Sequence, residues 1–119
     1  MRKLTKAVSV AAAVAMTATC FSTTAFADDT FKIGGIGPIT GGAAVYGQAV
    51  MNASQMAADD INAAGGINGY QIEFNFQDDE HDAEKSVNAY NTLKDWGMQM
   101  LLGTVTSTPC TAVEGEASN

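Results

Sequence analysis

The sequence predicts an α/β fold, a parallel sheet covered by helices, on three observations. From Asp28 onward, strand-like and helix-like patterns alternate twice. The joints between them are short and marked by glycine. A largely apolar run, Met98 to Leu102, broken only by Gln99, reads as a short strand buried on both faces. Composition agrees: 119 residues that are 46% hydrophobic and 16% charged suit the packed core of one domain or less, and fit neither a disordered tail nor a coiled coil.

The first strand is Phe31 to Gly37, followed by the loop Pro38-Ile39-Thr40-Gly41-Gly42, whose glycines permit backbone torsions closed to other residues. A helix then runs from about Ala44 to Ala64, with Val50, Ala53, Ala57 and Ile61 spaced by three and four as its buried stripe, and Gly65-Gly66 ends it. After the turn Asn68-Gly69, Tyr70, Ile72, Phe74 and Phe76 alternate with Gln71, Glu73, Asn75 and Gln77, the pattern of a half-buried second strand. The acidic stretch Asp78-Asp79-Glu80-His81-Asp82 opens a second helix, about Asp82 to Trp96, with Ala83, Val87, Tyr90 and Leu93 on one face and Gly97 as its stop. Gly103 to Thr108 is a polar loop after the third strand. Thr108 followed by Pro109 reads as the N-cap and first residue of a third helix.

Residues 1 to 27 read as a cleavable secretory signal: a basic start (Arg2, Lys3, Lys6), an apolar stretch from Ala7 to Ala18, and the small-residue triplet Ala25-Phe26-Ala27. The apolar stretch is well short of the ~20 residues a membrane-spanning helix needs. Lipid anchoring at Cys20 is the lesser alternative, because Thr19 is bulkier than the small residue usual before a lipidated cysteine. Cleavage after Ala27 leaves Cys110 as the lone cysteine, with no intrachain disulfide available. The net charge is -7, and past Ala27 only Lys32, Lys85 and Lys94 face all the acids. Such a body repels phosphate backbones and anionic lipid, so no nucleic-acid partner is expected.

The loop Thr104 to Thr108 is the strongest candidate site. It lies beyond the C-terminal end of a strand and at a helix N-terminus, where open parallel sheets bind ligands. Unpaired N–H groups there attract a carboxylate or phosphate, and the hydroxyls of Thr106, Ser107 and Thr108 add donors without net charge; helix capping by the same hydroxyls explains them equally well. Tyr46, on the loop after the first strand, either walls a small-molecule pocket or packs into the core. The glycines from Gly34 to Gly41 hold no dinucleotide register, since Thr40 stands where Gly35 and Gly37 would require a third glycine. The acids from Asp78 to Asp82 do not follow a calcium-loop spacing and are accounted for as solvated carboxylates at a helix N-terminus. His81, the sole histidine, has no zinc-type companions, so no metal site is expected. Neither Ser107 nor Cys110 sits in a nucleophile motif, and no catalytic residue is assigned.

Two segments carry a resemblance: Gly37-Pro38-Ile39-Thr40-Gly41 through Val45-Tyr46-Gly47, and Asp60-Ile61-Asn62-Ala63-Ala64-Gly65-Gly66-Ile67-Asn68-Gly69. With Leu102-Gly103 and Thr106-Ser107 further on, the chain from about Phe31 to its last residue resembles the periplasmic leucine/isoleucine/valine-binding proteins of ABC transporters. The resemblance implies the periplasmic binding protein type I fold, of which residues 28 to 119 are the first part of lobe one. It implies an extracytoplasmic, periplasmic or extracellular receptor, without cofactor or catalysis and a monomer when complete. Such a receptor closes on a branched-chain amino acid or similar small solute and delivers it to the membrane permease of an ABC transporter. By the same resemblance Ser107 hydrogen-bonds the ligand carboxylate and Tyr46 lines the pocket, with Thr106 and Thr108 beside them. Some family members join the second and third loops by a disulfide, and the matching positions here are His81 and Thr106, so that staple is missing. Family chains are much longer, so the sheet as given is expected to leave an edge and an apolar face uncovered and, alone, to aggregate or stay partly unfolded. The nearest alternative is the ligand-binding extracellular domain of a sensor or receptor. An α/β enzyme is a remoter one, lacking a visible nucleophile and base.

Overall fold

A computed structural model describes residues 29–119. The signal expected in residues 1 to 27, with Cys20, lies outside the described residues. The elements in order are β1 (Thr30–Gly37), α1 (Ala44–Ala63), β2 (Gln71–Asp78), α2 (Ala83–Trp96), β3 (Met100–Thr104) and α3 (Ser107–Ala117). The three strands form one sheet in the order β2-β1-β3, and both pairings are parallel. The loops after each strand therefore gather at one edge, where Gly37 lies opposite Asp78 and Ile36 opposite Thr104.

Alternation along β1 divides its side chains between the two faces of the sheet. Ile36 faces α2 and α3 and is fully buried in a core with Ala89, Leu93 and Val113, against which Tyr90, Trp96, Met98 and Leu101 pack. Gly34 lies on that face because a Cβ there would meet Met98 Sδ at 2.4 Å and Leu93 Cδ1 at 2.9 Å, so the missing side chain lets α2 sit close. Ile33, Ile72, Phe74, Met100 and Leu102 share the other face with α1, as the alternation in the second strand predicts.

Local signals set the element ends. Gly65 and Gly66 follow α1 with left-handed φ of 104° and 80°. Asn62, inside the Asp-Ile-Asn motif, donates from Nδ2 to the Ile72 carbonyl at 2.8 Å and accepts the Ile72 N–H at 2.6 Å, tying α1 to the start of β2. Asp82 caps α2 by accepting the Lys85 N–H, and Gly97 ends that helix in the left-handed conformation.

Four expectations are corrected. On α1 the inward residues are Gly47 and Ala58, with Met51, Ser54 and Ile61 half-buried, whereas Val50, Ala53 and Ala57 are exposed. The helix leans over β1 and β2, so the side of it nearer β3 has nothing to pack against. On α2 the buried residues are Ser86, Ala89 and Leu93, because α3 closes on small side chains there while Ala83 and Val87 lie at the margin. β3 starts at Met100 and is covered on one face only: Met100 is 44% and Leu102 51% exposed, since β3 is an edge strand beyond the reach of α1. α3 starts at Ser107 with Thr106 as its N-cap residue, two positions before the Thr108 expected, and Pro109 occupies the third helical position, where its missing N–H breaks no helix bond. Among the described residues no helix is long and apolar enough to cross a membrane.

Candidate functional site

Three loops meet at the C-terminal edge of the sheet. The first, after β1, is held by Asp78 at the end of β2. One carboxylate oxygen accepts the Ile39 N–H at 2.8 Å and the Glu80 N–H at 3.0 Å, and the other accepts the Thr40 hydroxyl at 2.6 Å. Burial opposes ionisation of this carboxyl, but the Thr40 hydroxyl and the N–H groups of Ile39, Glu80 and Thr40 outweigh it and hold Asp78 below its ordinary pKa. Gln48 Nε2 adds a bond to the Ile39 carbonyl at 2.8 Å. Gly47 lets the first turn of α1 lie against this loop, because a Cβ there would fall 1.8 Å from the Pro38 carbonyl oxygen. Tyr46, one residue earlier, is 64% exposed at this edge, so the core alternative does not hold for it.

The second loop is a tight turn after β2. Asp82 N–H binds the Asp79 carbonyl at 2.8 Å, and Glu80 and His81 between them have left-handed φ of 49° and 64°. The Asp79 side chain is fully buried; its Oδ1 accepts the His81 N–H at 2.8 Å, while Oδ2 has no partner among the described residues. Desolvation accordingly raises the Asp79 pKa, with the neighbouring Asp78 charge adding to it. The acidic stretch is thus not simply solvated: Asp78 clamps a loop, Asp79 is buried, Asp82 is a cap, and Glu80 pairs with Lys85 at 2.6 Å. Among the described residues no three His, Cys, Asp or Glu side chains gather as a metal-holding group.

The third loop follows a bulge in β3, where the register with β1 slips by one residue near Gly103, at φ 117°. A bulge beside a site re-aims the residues after it. Thr104, Val105, Thr106 and Ser107 line a shallow hollow of about 300 Å³ with Cys110 and Thr111. Of the four residues singled out in the sequence, the structure puts Thr106 and Ser107 in this hollow. Thr108 is exposed on the next helical position and Tyr46 stands in the first turn of α1, neither of them lining it. Thr106 Oγ1 lies 2.8 Å from His81 Nδ1, so a hydrogen bond joins the second and third loops. Cys110 is a free, exposed thiol. Sequence reasoning missed Asp78 as the clamp of the first loop; the resemblance paired the positions of His81 and Thr106, but not by a hydrogen bond.

The family model described as periplasmic binding protein matches residues 30–118. The chain is 38% identical over 95 residues to the Leu/Ile/Val-binding protein BraC3 of Rhizobium johnstonii, covering 77% of this chain and 26% of that one. It is 38% identical over 93 residues to the leucine-, isoleucine-, valine-, threonine- and alanine-binding protein of Pseudomonas aeruginosa, covering 78% and 25%. Among solved structures, it superposes with a TM-score of 0.71 and 33% identity on the branched-chain amino acid transporter substrate-binding protein LivJ from Streptococcus pneumoniae in complex with isoleucine, covering 76% of this chain and 26% of that one. The chain thus spans about a quarter of the length of the relatives it matches. From its first strand to its third helix, this chain belongs to the periplasmic binding protein family.

Proposed function

We propose that residues 28 to 119 are the N-terminal part of the first lobe of an extracytoplasmic solute-binding protein that takes up a branched-chain amino acid or similar small solute for an ABC transporter. The observation that carries this reading is the similarity to Leu/Ile/Val-binding proteins together with a hydroxyl-lined hollow at the C-terminal edge of a parallel sheet. In this reading Ser107 donates its hydroxyl to the ligand carboxylate, the unpaired first amides of α3 and the positive end of that helix add to it, and Tyr46 walls the apolar part of the ligand. Thr106 and Thr108 are the accompanying hydroxyls. Binding and release suffice for delivery to a permease, so the site needs no nucleophile or base, and the protein is read as a monomeric receptor exported through the signal in residues 1 to 27.

The test is calorimetric titration of the full-length protein with L-leucine, L-isoleucine, L-valine and, as contrasts, L-aspartate and L-lysine. One site per molecule for the branched-chain set is expected. Ser107→Ala should weaken it by about 1.5–3 kcal/mol, the scale of a hydrogen bond to a charged group, which is roughly ten- to a hundredfold. No binding of any branched-chain amino acid, or full affinity in the Ser107→Ala variant, contradicts the reading.

A further inference from the structure

In the strand order β2-β1-β3 the outer strands do not touch, yet the loops that follow them do: His81 after β2 and Thr106 after β3 meet at 2.8 Å across the end of β1. A second observation bears on what this contact does. Thr106 is the N-cap residue of α3, with the extended backbone of a capping threonine (φ -125°, ψ 154°), but its side chain makes no cap hydrogen bond. A free threonine hydroxyl in that position ordinarily accepts the N–H of the second or third helical residue. In this helix the third residue is Pro109, which has no N–H, and the Cys110 N–H is already bound to the Thr106 carbonyl at 3.0 Å. The amides of Ser107 and Thr108 are the two that the first turn leaves unpaired, and Thr108 is the one a Thr106 cap would occupy.

We infer that His81 is a positioning residue of the ligand loop: by engaging the Thr106 hydroxyl it keeps that hydroxyl from capping α3, and so leaves the Ser107 and Thr108 amides available to an anionic group of the solute. The inference rests on the functional reading above. The β2–α2 turn is built to present His81 for this purpose. The buried Asp79 fixes it through the His81 N–H, and two consecutive non-glycine residues, Glu80 and His81, are held in the left-handed region. The imidazole acts by direction: held 2.8 Å from Nδ1, the Thr106 hydroxyl makes no bond to the helix amides, whichever of the two atoms donates.

Two substitutions in the full-length protein separate this role from simple loop packing. His81→Gly removes the side chain at a backbone conformation glycine accepts without strain. His81→Asn keeps a polar atom at the δ position and also tolerates a positive φ. With L-leucine and L-isoleucine as probes, His81→Gly is expected to bind about fivefold more weakly than the wild type, the size of one neutral hydrogen bond, and His81→Asn to stay within about twofold. Equal affinity in all three proteins overturns the inference and leaves the functional reading standing. So does a loss in His81→Asn as large as in His81→Gly, because then the ring and not its hydrogen bond matters. Failure of the wild type to bind either amino acid contradicts the functional reading, and this inference falls with it.

Discussion

Asp78 shows how a residue that looks unremarkable in the sequence organises the edge of the sheet. Its carboxylate collects three N–H groups and the Thr40 hydroxyl, and its pKa is lowered although burial alone would raise it. A group whose folded pKa lies below its unfolded value contributes stability that is present above the unfolded value of 3.8 and is lost as pH falls through the folded one. Asp79 next to it has the opposite sign: its raised pKa favours the folded state below 3.8 and costs stability as pH rises through the folded value. Asp78→Asn is therefore expected to lower stability at pH 7 by about 1–2 kcal/mol, a range reduced because solvent reaches the carboxylate. Denaturant melts of the full-length protein from pH 7 to pH 3 should show the gap to the wild type closing at the acid end; a constant gap would refute this assignment. None of it was legible in the run Asp78 to Asp82, because the partners Ile39 and Thr40 become neighbours only when β1 and β2 pair. For His81 the resemblance gave the position opposite Thr106, while the hydrogen bond between them across the end of β1 was not legible. The place of Thr106 and Ser107 at the C-terminal edge of the sheet was legible, since they follow an apolar strand and precede a helix start.

At the scale of elements, periodicity located the first two strands and helices, an apolar run the third strand and a cap signature the third helix, and the errors were of rotation, boundary and the burial of β3. On α1 the sequence stripe of Val50, Ala53 and Ala57 is the more apolar one, but the helix turns Gly47, Ser54 and Ala58 toward β1 and β2 and leaves Ala53 and Ala57 on the open groove beside Met100 and Leu102. At Gly47 a Cβ would overlap the Pro38 carbonyl, so Gly47→Ala must push the first turn of α1 away from the β1–α1 loop and carry Tyr46 with it. A loss of about 1–3 kcal/mol in stability, the usual range for overpacking, together with weaker solute binding, is expected from thermal melts and titration of this variant. Unchanged stability and affinity would show that the loop has room to yield. The start of α3 was misplaced because Thr108-Pro109 has the signature of a cap and first residue. A proline is accepted equally well at the third position, where the helix has no bond for it to break.

For the whole molecule, the uneven covering of the sheet matters most. The α2 and α3 side holds the buried core, whereas on the α1 side Ile67, Tyr70, Met100 and Leu102 are exposed between α1 and the β3 edge. The edge and apolar face on which the expectation of aggregation rests are both there, and the chain spans about a quarter of its relatives' length. Fold class follows from alternation, whereas the strand order β2-β1-β3 is given by the structure. The most direct measurement is a crystal structure of the full-length protein grown with L-isoleucine. The ligand carboxylate is expected on the Ser107 hydroxyl and the first amides of α3, with Tyr46 against the solute, at the edge where the three loops meet. An amino acid bound away from that edge, or density there for no ligand at saturating concentration, would contradict the proposal that this loop cluster is one wall of a solute-binding cleft.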